Sequence, residues 1–318
     1  MNQNSNNFAL IGVAGYIAVR HLKAIKETKN NLTAALDVFD SVGVIDQYFP
    51  DADFFVEFER FDRHLDKLKR AGNQTDFVSI CSPNYLHDAH IRFALRHQAN
   101  AICEKPMVLN PWNVDALQEF EKETGKRVFN LLQLRLHPSV IALKERIDNG
   151  PKDKVYDIDL TYITSRGSWY FFSWKGEISK SGGVATNIGV HFFDMLTWIF
   201  GDVSENIVHI SRDNKVAGFL QLKKARVRWL LSVDYKDIPT KIKEKGMRTY
   251  RSLQLDGEEF EFSEGFTDLH TRSYQNILDG NGFGIEEVKN SVSTAYHIRN
   301  ENPIGLKGEY HPLLKKIV

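Results

Sequence analysis

The sequence predicts a two-part α/β plus α+β architecture. Residues 1–132 read as a doubly wound parallel sheet and residues 133–318 as an open, mainly antiparallel sheet with helices. Two observations lead there. Over the first part, short apolar runs alternate with helical periodicity, the pattern of βαβ units. After about Gly150 the periodicity changes to two, the mark of half-buried strands joined by short connections.

In order, Phe8 to Val13 is an apolar strand, followed by a helix through Leu22 and Ile25. Leu32 to Asp37, Phe77 to Cys81 and Ala101 to Glu104 are further strands. A helical pattern runs from Tyr85 to His97, and Asn110-Pro111 starts another helix, with proline at its first position. Gly125 stops that helix ahead of a fifth strand, Arg127 to Leu132. In the second part Tyr156, Ile158, Leu160 and Tyr162 alternate with Asp157, Asp159 and Thr161, and Val227, Trp229, Leu231 and Val233 alternate with Arg226, Arg228 and Ser232. Strand-like runs also cover Val216 to Leu222, Tyr250 to Leu255 and Glu259 to Phe262. An apolar helix, Ile188 to Phe200, interrupts them, and Ile285 to Arg299 is a late helix. Such a sheet, helix-covered on one face, often pairs its other face with a second subunit, so a homo-oligomer is expected.

Composition narrows the class. The 318 residues are 42% hydrophobic and 26% charged, with 41 basic against 41 acidic side chains, which argues against a nucleic-acid partner. No run approaches the roughly 20 apolar residues that span a bilayer. Met1 to Asn7 is polar and lacks a signal-peptide core. Cys81 and Cys103 fall in predicted buried strands and read as inert thiols in a reducing compartment, not as a disulfide or metal site. A cytoplasmic protein is expected.

The first strand runs into Gly12-Val13-Ala14-Gly15-Tyr16-Ile17-Ala18. Small residues at such a turn let backbone amides and a helix amino terminus approach a pyrophosphate, as in the Rossmann fold. The spacing is G-x-x-G-x-x-A, so the first glycine stands one position earlier than in G-x-G-x-x-G/A; a plain glycine turn would read the same. Asp37 ends the second strand, where a carboxylate binds adenosine ribose hydroxyls and repels a 2′-phosphate, which favours NAD over NADP. Ser82-Pro83-Asn84 leaves another strand end and borders the same crevice. His87 and His90 lack metal-ligand spacing and read as solvated helix residues. Glu104-Lys105-Pro106 leaves the fourth strand at its carboxyl end, the side on which ligands bind in such sheets.

In the second part Ser181-Gly182-Gly183 leads into a helix bearing Asn187, His191 and Asp194, whose spacing places them near one face. The remainder, Ile188, Phe192, Phe193, Leu196 and Trp198, is apolar, so the helix is expected to be buried. Gln133, Arg135 and His137 leave the strand that ends at Leu132; Arg135 also suits a structural ion pair. Arg166 and Lys175 are available cations, and Arg166 suits bidentate binding of a carboxylate. Trp169 and Tyr170 offer large aromatic faces, and core packing is an equal reading for Trp169 and Trp174. His270 and Tyr274 stand four apart on a helix that edges the same pocket.

Together Glu104-Lys105-Pro106, Ser82-Pro83-Asn84 with His87, and Gly182-Gly183 ahead of His191 and Asp194 resemble the Gfo/Idh/MocA oxidoreductases. Gln133 to Pro138, Ser165 to Tyr170, Ser173 to Gly176 and Phe266 to His270 are similar to the WbpB/WlbA group within that family. Asn187 departs from the aspartate many relatives carry. The resemblance implies NAD-dependent oxidation of UDP-N-acetyl-2-amino-2-deoxyglucuronate at C3, in bacterial surface-polysaccharide (O-antigen) synthesis, by a homotetramer in which 2-oxoglutarate serves some members as hydride acceptor. It implies that Gly12, Ala14, Gly15, Tyr16, Ile17, Asp37, Ser82, Pro83, Asn84, His87, Glu104, Lys105 and Gln133 line the cofactor. Lys105, Arg166, Trp169, Tyr170, Lys175, Asn187, His191 and His270 would line the substrate. Imidazole changes charge near neutrality, which suits His191 to take the hydroxyl proton. A lysine titrates near about 10.4, and a positive nicotinamide beside it would lower that, so Lys105 is the other candidate base. A dehydrogenase of a free polyol such as inositol, and a non-catalytic ligand sensor, are the alternatives.

Overall fold

The structure is a computed structural model that describes residues 5–262 and 267–317. Phe266, in one of the blocks singled out above, and Met1 to Asn4 lie outside the described residues. The chain divides into two compact units, one of Met1–Gln133 with Thr267–Lys289 and one of Leu134–Phe266 with Asn290–Val318.

The first unit carries β1 (Asn7–Ile11), α1 (Ala18–Glu27), β2 (Asn31–Leu36), β3 (Asp53–Phe55), α2 (Phe58–Arg70), β4 (Phe77–Ile80), α3 (His87–Arg96), β5 (Asn100–Cys103), α4 (Pro111–Thr124) and β6 (Val128–Asn130). All pairings are parallel, in the order β3-β2-β1-β4-β5-β6. That is the Rossmann order, with its switch between β1 and β4. β3 was not anticipated; three residues are too few to show a period. The core holds Phe8, Leu10, Leu22, Ile25 and Ile102, all fully buried, which is why these strands read as continuous apolar runs.

Residues 267–289 belong with this unit, although the sequence reading placed everything after residue 132 in the second. Their helix, here termed α11 (Leu269–Leu278), buries Tyr274 and Ile277 in the first core, and Phe8 stacks on Tyr274 with ring centroids 5.8 Å apart. An amphipathic helix does not reveal by its own sequence which of two cores it completes.

The second unit contains α5 (Pro138–Asp148), β7 (Tyr156–Thr164), α6 (Trp169–Phe172), α7 (Ile178–Ser181), α8 (Gly183–Asn187), α9 (Val190–Phe200), β8 (Val203–Arg212), β9 (Lys215–Leu222), β10 (Ala225–Ser232), α10 (Thr240–Lys243), β11 (Thr249–Leu255), β12 (Glu258–Glu259) and α13 (Leu314–Ile317); α12 (Ile285–Asn300) runs across the division between units. The strand order is β12-β11-β7-β10-β9-β8, antiparallel throughout except for β7 beside β10. β8 escaped the sequence reading because two register shifts, at Val203/Glu205 and Val208/Ile210, break its alternation. One face packs Ile158, Leu160, Leu220, Val227 and Trp229 against Phe193, Leu196 and Phe200 of α9 and Leu143 and Ile147 of α5. Gly218 makes room for Trp229: a Cβ there would lie 2.6 Å from the indole and 2.2 Å from the Ile207 carbonyl oxygen. On the other face Ile210, Ala217 and Leu230 are covered by Leu314, Tyr310 and Leu313, so the C-terminal stretch occupies part of the surface expected to meet a second subunit. No helix among the described residues is long and apolar enough to cross a membrane.

The expected continuous helix from Asn187 to Asp194 is two helices. α8 ends at Asn187, Ile188 and Gly189 form a turn, and α9 starts at Val190. Gly189 permits the turn, since a Cβ there would meet Ala185 O at 2.3 Å and Phe193 at 2.6 Å. The spacing of Asn187 and His191 therefore does not reflect one regular helical face.

Candidate active site

In the first unit, Gly12 adopts φ +91° and a Cβ on it would sit 2.7 Å from the backbone of Cys81 and Ser82. Only glycine allows the β1–α1 turn to lie so close to the end of β4. The Gly15 amide bonds Gly12 O at 3.1 Å, which tightens the turn, and Tyr16 and Ile17 lead into α1 with Tyr16 exposed. Asp37 accepts the Ala14 amide at 2.9 Å and the Phe39 amide at 3.0 Å. Its carboxylate thus braces the glycine turn and keeps lone pairs for a ribose hydroxyl. Val38 and Phe39, which follow it, are 76% and 69% exposed, large apolar surfaces at a strand end that a planar base would cover.

At the ends of β4 and β5, Ser82, Asn84 and Glu104 are buried and Lys105 is partly buried. Pro83 opens a short 3-10 turn, Asn84–Leu86, ahead of α3. His87 and His90 are not solvated, contrary to the sequence reading: His87 is 1% exposed and His90 9%. The His87 ring lies 2.7 Å from Pro106 O and 2.9 Å from Ser82 O, so its nitrogens tie the two loops together. Burial lowers its pKa. His90 Nδ1 lies 2.8 Å from the Ser82 hydroxyl, and burial takes this imidazole down to about 4.

Glu104 is the centre of a buried relay. Its Oε1 accepts from His21 Nε2 at 3.1 Å and from His270 Nε2 at 3.0 Å, while Oε2 accepts the Lys105 amide at 3.2 Å. His21 Nδ1 then accepts the Tyr274 hydroxyl at 2.7 Å, and Ser79 lies 2.6 Å beyond. Burial alone would raise the Glu104 pKa, but the hydrogen bonds and charges of His21 and His270 bring it well below the usual range. Burial lowers His21, against its bond to Glu104. His270, expected to line the substrate, instead turns Nε2 inward to donate to Glu104, with the end of the Gln133 side chain 3.0 Å from the same nitrogen. Its neighbours on α11 reach the first core, so the helix presents His270 to that unit. His21, Glu104 and His270 are close enough to hold an ion, and their mutual hydrogen bonds account for the same closeness.

In the second unit, Asn187 Nδ2 donates to the Tyr170 hydroxyl at 3.2 Å, and His191 is partly exposed on α9. Asp194 is spoken for: Arg135 grips it with two bonds of 2.8 and 3.0 Å, both side chains buried. The structural ion pair is thus the role of Arg135. Lys175 lies over the Trp174 ring at 4.3 Å and more distantly over Trp169, and burial and the charge of Arg166 lower its pKa. Tyr170 is buried, which raises its pKa, whereas Trp169 is 54% exposed and not part of the core.

A family model described as the oxidoreductase family's NAD-binding Rossmann fold matches residues 6–131, and one described as its C-terminal alpha/beta domain matches residues 144–240. The chain belongs to the Gfo/Idh/MocA oxidoreductase family. It is similar to the WlbA (WbpB) dehydrogenase of Thermus thermophilus, solved with NAD and alpha-ketoglutarate: 50% identity over 96% of this chain and 99% of that one, TM-score 0.94. The same enzyme solved with NAD and UDP-GlcNAcA gives 49% identity, the same coverage and a TM-score of 0.93. Inositol 2-dehydrogenase of Rhizobium meliloti is 28% identical over 199 residues, 61% of this chain and 55% of that protein. The chain spans 48%, 36% and 55% of three curated relatives it matches.

Within this Gfo/Idh/MocA chain, sequence reading passed over His21, which looks like an ordinary helix residue but bonds Glu104, and the exposed Val38-Phe39 pair. Two apolar residues directly after Asp37 were a visible signal for the latter. Lys105 stands in the first unit and His191 in the second.

Proposed function

We propose that the protein is an NAD-dependent dehydrogenase that oxidises UDP-N-acetyl-2-amino-2-deoxyglucuronate (UDP-GlcNAcA) at C3, giving the 3-keto sugar for bacterial surface-polysaccharide synthesis. One observation carries this reading: half of all residues are identical, along nearly the whole chain, to an enzyme whose complexes hold NAD and UDP-GlcNAcA. The residues fit the cofactor. Gly12 and Gly15 allow the tight turn whose amides would meet a pyrophosphate, Asp37 offers a carboxylate to the ribose, and Val38 and Phe39 would cover the adenine. NAD, when bound, supplies the hydride acceptor.

The chain's own residues handle the proton. His191 and Lys105 are assigned to the C3 hydroxyl: one takes the proton and the other hydrogen-bonds the oxygen and stabilises its negative charge. The buried relay on Glu104 fixes the backbone of Lys105 through the Lys105 amide. Arg166 and Lys175 serve the substrate's anionic groups, with Tyr170 held by Asn187 beside them. Regeneration of NAD with 2-oxoglutarate is supported by the Thermus thermophilus complex with alpha-ketoglutarate. A homotetramer completes the reading, and a monomeric mass by light scattering at working concentration rejects that part.

The test is absorbance at the NADH band with NAD and UDP-GlcNAcA, with and without 2-oxoglutarate. NADH, or keto sugar formed only with the 2-oxoacid, is the expected result; neither product rejects the substrate. A free-polyol dehydrogenase is the second reading, favoured by the inositol 2-dehydrogenase relative. It requires that the UDP group bring no gain in affinity. Lys105→Ala and His191→Asn should each lower kcat about 100-fold or more, the range for lost acid–base groups; near-normal turnover in both rejects the assigned pair.

A further inference from the structure

His21 stands on α1, fully buried, and takes no part in the hydride or proton transfer itself. Its partners fix where each proton of the relay sits. Burial opposes ionisation of Glu104, yet the bonds and charges of His21 and His270 hold its carboxyl well below the usual range, so it is a carboxylate and only accepts. His21 Nε2, 3.1 Å from Oε1, therefore carries a proton. Burial lowers the His21 pKa, against the pull of Glu104, so the ring is neutral and its Nδ1 is bare. Only a donor suits that nitrogen. The Tyr274 hydroxyl lies 2.7 Å away and keeps its proton, because burial pushes the phenol well up. That single proton is then committed to His21, so Ser79, 2.6 Å from the phenol oxygen, donates to it in turn. Ser79, Tyr274 and His21 are each fully buried, so bulk water does not reach these bonds.

The tautomer matters at Glu104. Both imidazoles donate to Oε1, at 3.1 and 3.0 Å, which leaves Oε2 for the Lys105 amide at 3.2 Å. The opposite tautomer of His21 would turn a lone pair on the carboxylate, and the two would repel. Glu104 would then swing, and Oε2 would leave the Lys105 amide.

We propose that His21 is a positioning residue for Lys105, acting through Glu104 in a tautomer set by Tyr274 and Ser79. Small errors in placing a reacting group lower its rate steeply. With no exposed surface, His21 does not touch substrate, so its loss lowers kcat and leaves KM for the sugar nearly unchanged. That Lys105 meets the sugar hydroxyl rests on the function proposed above; the hold on its amide does not.

The experiment compares His21→Leu, His21→Gln and Tyr274→Phe with the unmodified chain. Leucine removes the donor, whereas the glutamine amide carries an N–H to about the place of Nε2. Phenylalanine keeps the ring that stacks on Phe8 and removes only the hydroxyl. Hydrogen exchange resolved to single amides compares Lys105 with Ala101, whose amide bonds the Arg127 carbonyl in the sheet. Steady-state turnover of UDP-GlcNAcA, with and without 2-oxoglutarate, gives kcat and KM. His21→Leu should speed exchange at Lys105 about tenfold relative to Ala101, the range for one hydrogen bond to a charged group. It should also lower kcat about tenfold, with KM within about twofold. Tyr274→Phe should shift both readouts about threefold, and His21→Gln should recover most of what leucine loses. Unchanged exchange at Lys105 in His21→Leu and Tyr274→Phe, or equal acceleration at Ala101, overturns the hold; Tyr274→Phe decides alone if the leucine variant does not fold. Faster exchange at Lys105 with kcat untouched overturns the positioning role. If the unmodified chain turns over no UDP-GlcNAcA, the substrate is rejected and the exchange alone decides the relay.

Discussion

At the scale of residues, the same chemistry serves catalysis and architecture, and only partners tell them apart. Asp194 and His191 look alike in the sequence, as polar groups on an apolar helix, yet Asp194 is consumed by Arg135. Asp194→Ala leaves a buried guanidinium without its counter-charge and should cost about 3–5 kcal/mol in urea unfolding. Loss of activity at unchanged stability would instead return Asp194 to the site. Glu104 is the converse case. Its place at a strand end was legible from Glu104-Lys105-Pro106, but its clamps were not, because His21 and His270 lie 83 and 166 residues away. Glu104→Gln keeps an oxygen for the two imidazoles but removes the charge they share and sets an NH2 donor against the Lys105 amide. It should destabilise the fold by about 1–3 kcal/mol, the cost of an unmet buried polar group; an unchanged urea midpoint would show that the clamp carries no weight.

At the scale of elements, regular runs were readable and interrupted ones were not. β7 and β10 keep strict alternation and were found, whereas bulges hid β8 and a two-residue turn split the Asn187–His191 helix. The turn after β1 shows why one early glycine matters. Gly12→Ala forces a Cβ into the Cys81–Ser82 backbone at positive φ, so it should weaken NAD binding at least about tenfold and lower the melting temperature; normal affinity by fluorescence titration would count against this account. The C-terminal stretch carries a pH-dependent fastening. His311 Nδ1 accepts the Leu313 amide at 3.2 Å, so its neutral ring donates from Nε2 to Thr161 at 3.0 Å. Burial chiefly, with Arg228 adding to it and Asp159 opposing, lowers this imidazole to about 4. Below its ordinary 6.5 the unfolded chain takes up a proton that the folded one refuses until about 4, so this contribution to stability is full above 6.5 and is lost as pH falls through about 4. Hydrogen exchange around Tyr310 to Ile317 should therefore accelerate, relative to β9 and β10, between pH 6.5 and 4. Uniform protection across that window rejects the fastening.

At the scale of the whole molecule, the alternation of strand and helix announced two units, but not that the first is assembled from two separated stretches of chain. Composition and periodicity are local, while membership of a core is not. Tyr274 is fully buried among first-unit residues, bonds His21 and reaches Ser79; its helix also brings His270 to Glu104. A fragment ending at Gln133 would lack the large ring, at about 3–5 kcal/mol for such a truncation. It would also leave His21 and Glu104 buried without their partners, at about 1–3 kcal/mol each. Those losses together approach the whole stability of a typical domain, about 5–15 kcal/mol. Residues 1–133 alone should therefore lack a cooperative unfolding transition and fail to bind NAD. Residues 1–133 joined by a flexible linker to 267–289 should recover both, because the helix restores ring and relay together. If the shorter fragment folds and binds NAD as well as the joined one, α11 is an ornament to the first unit and not a part of it.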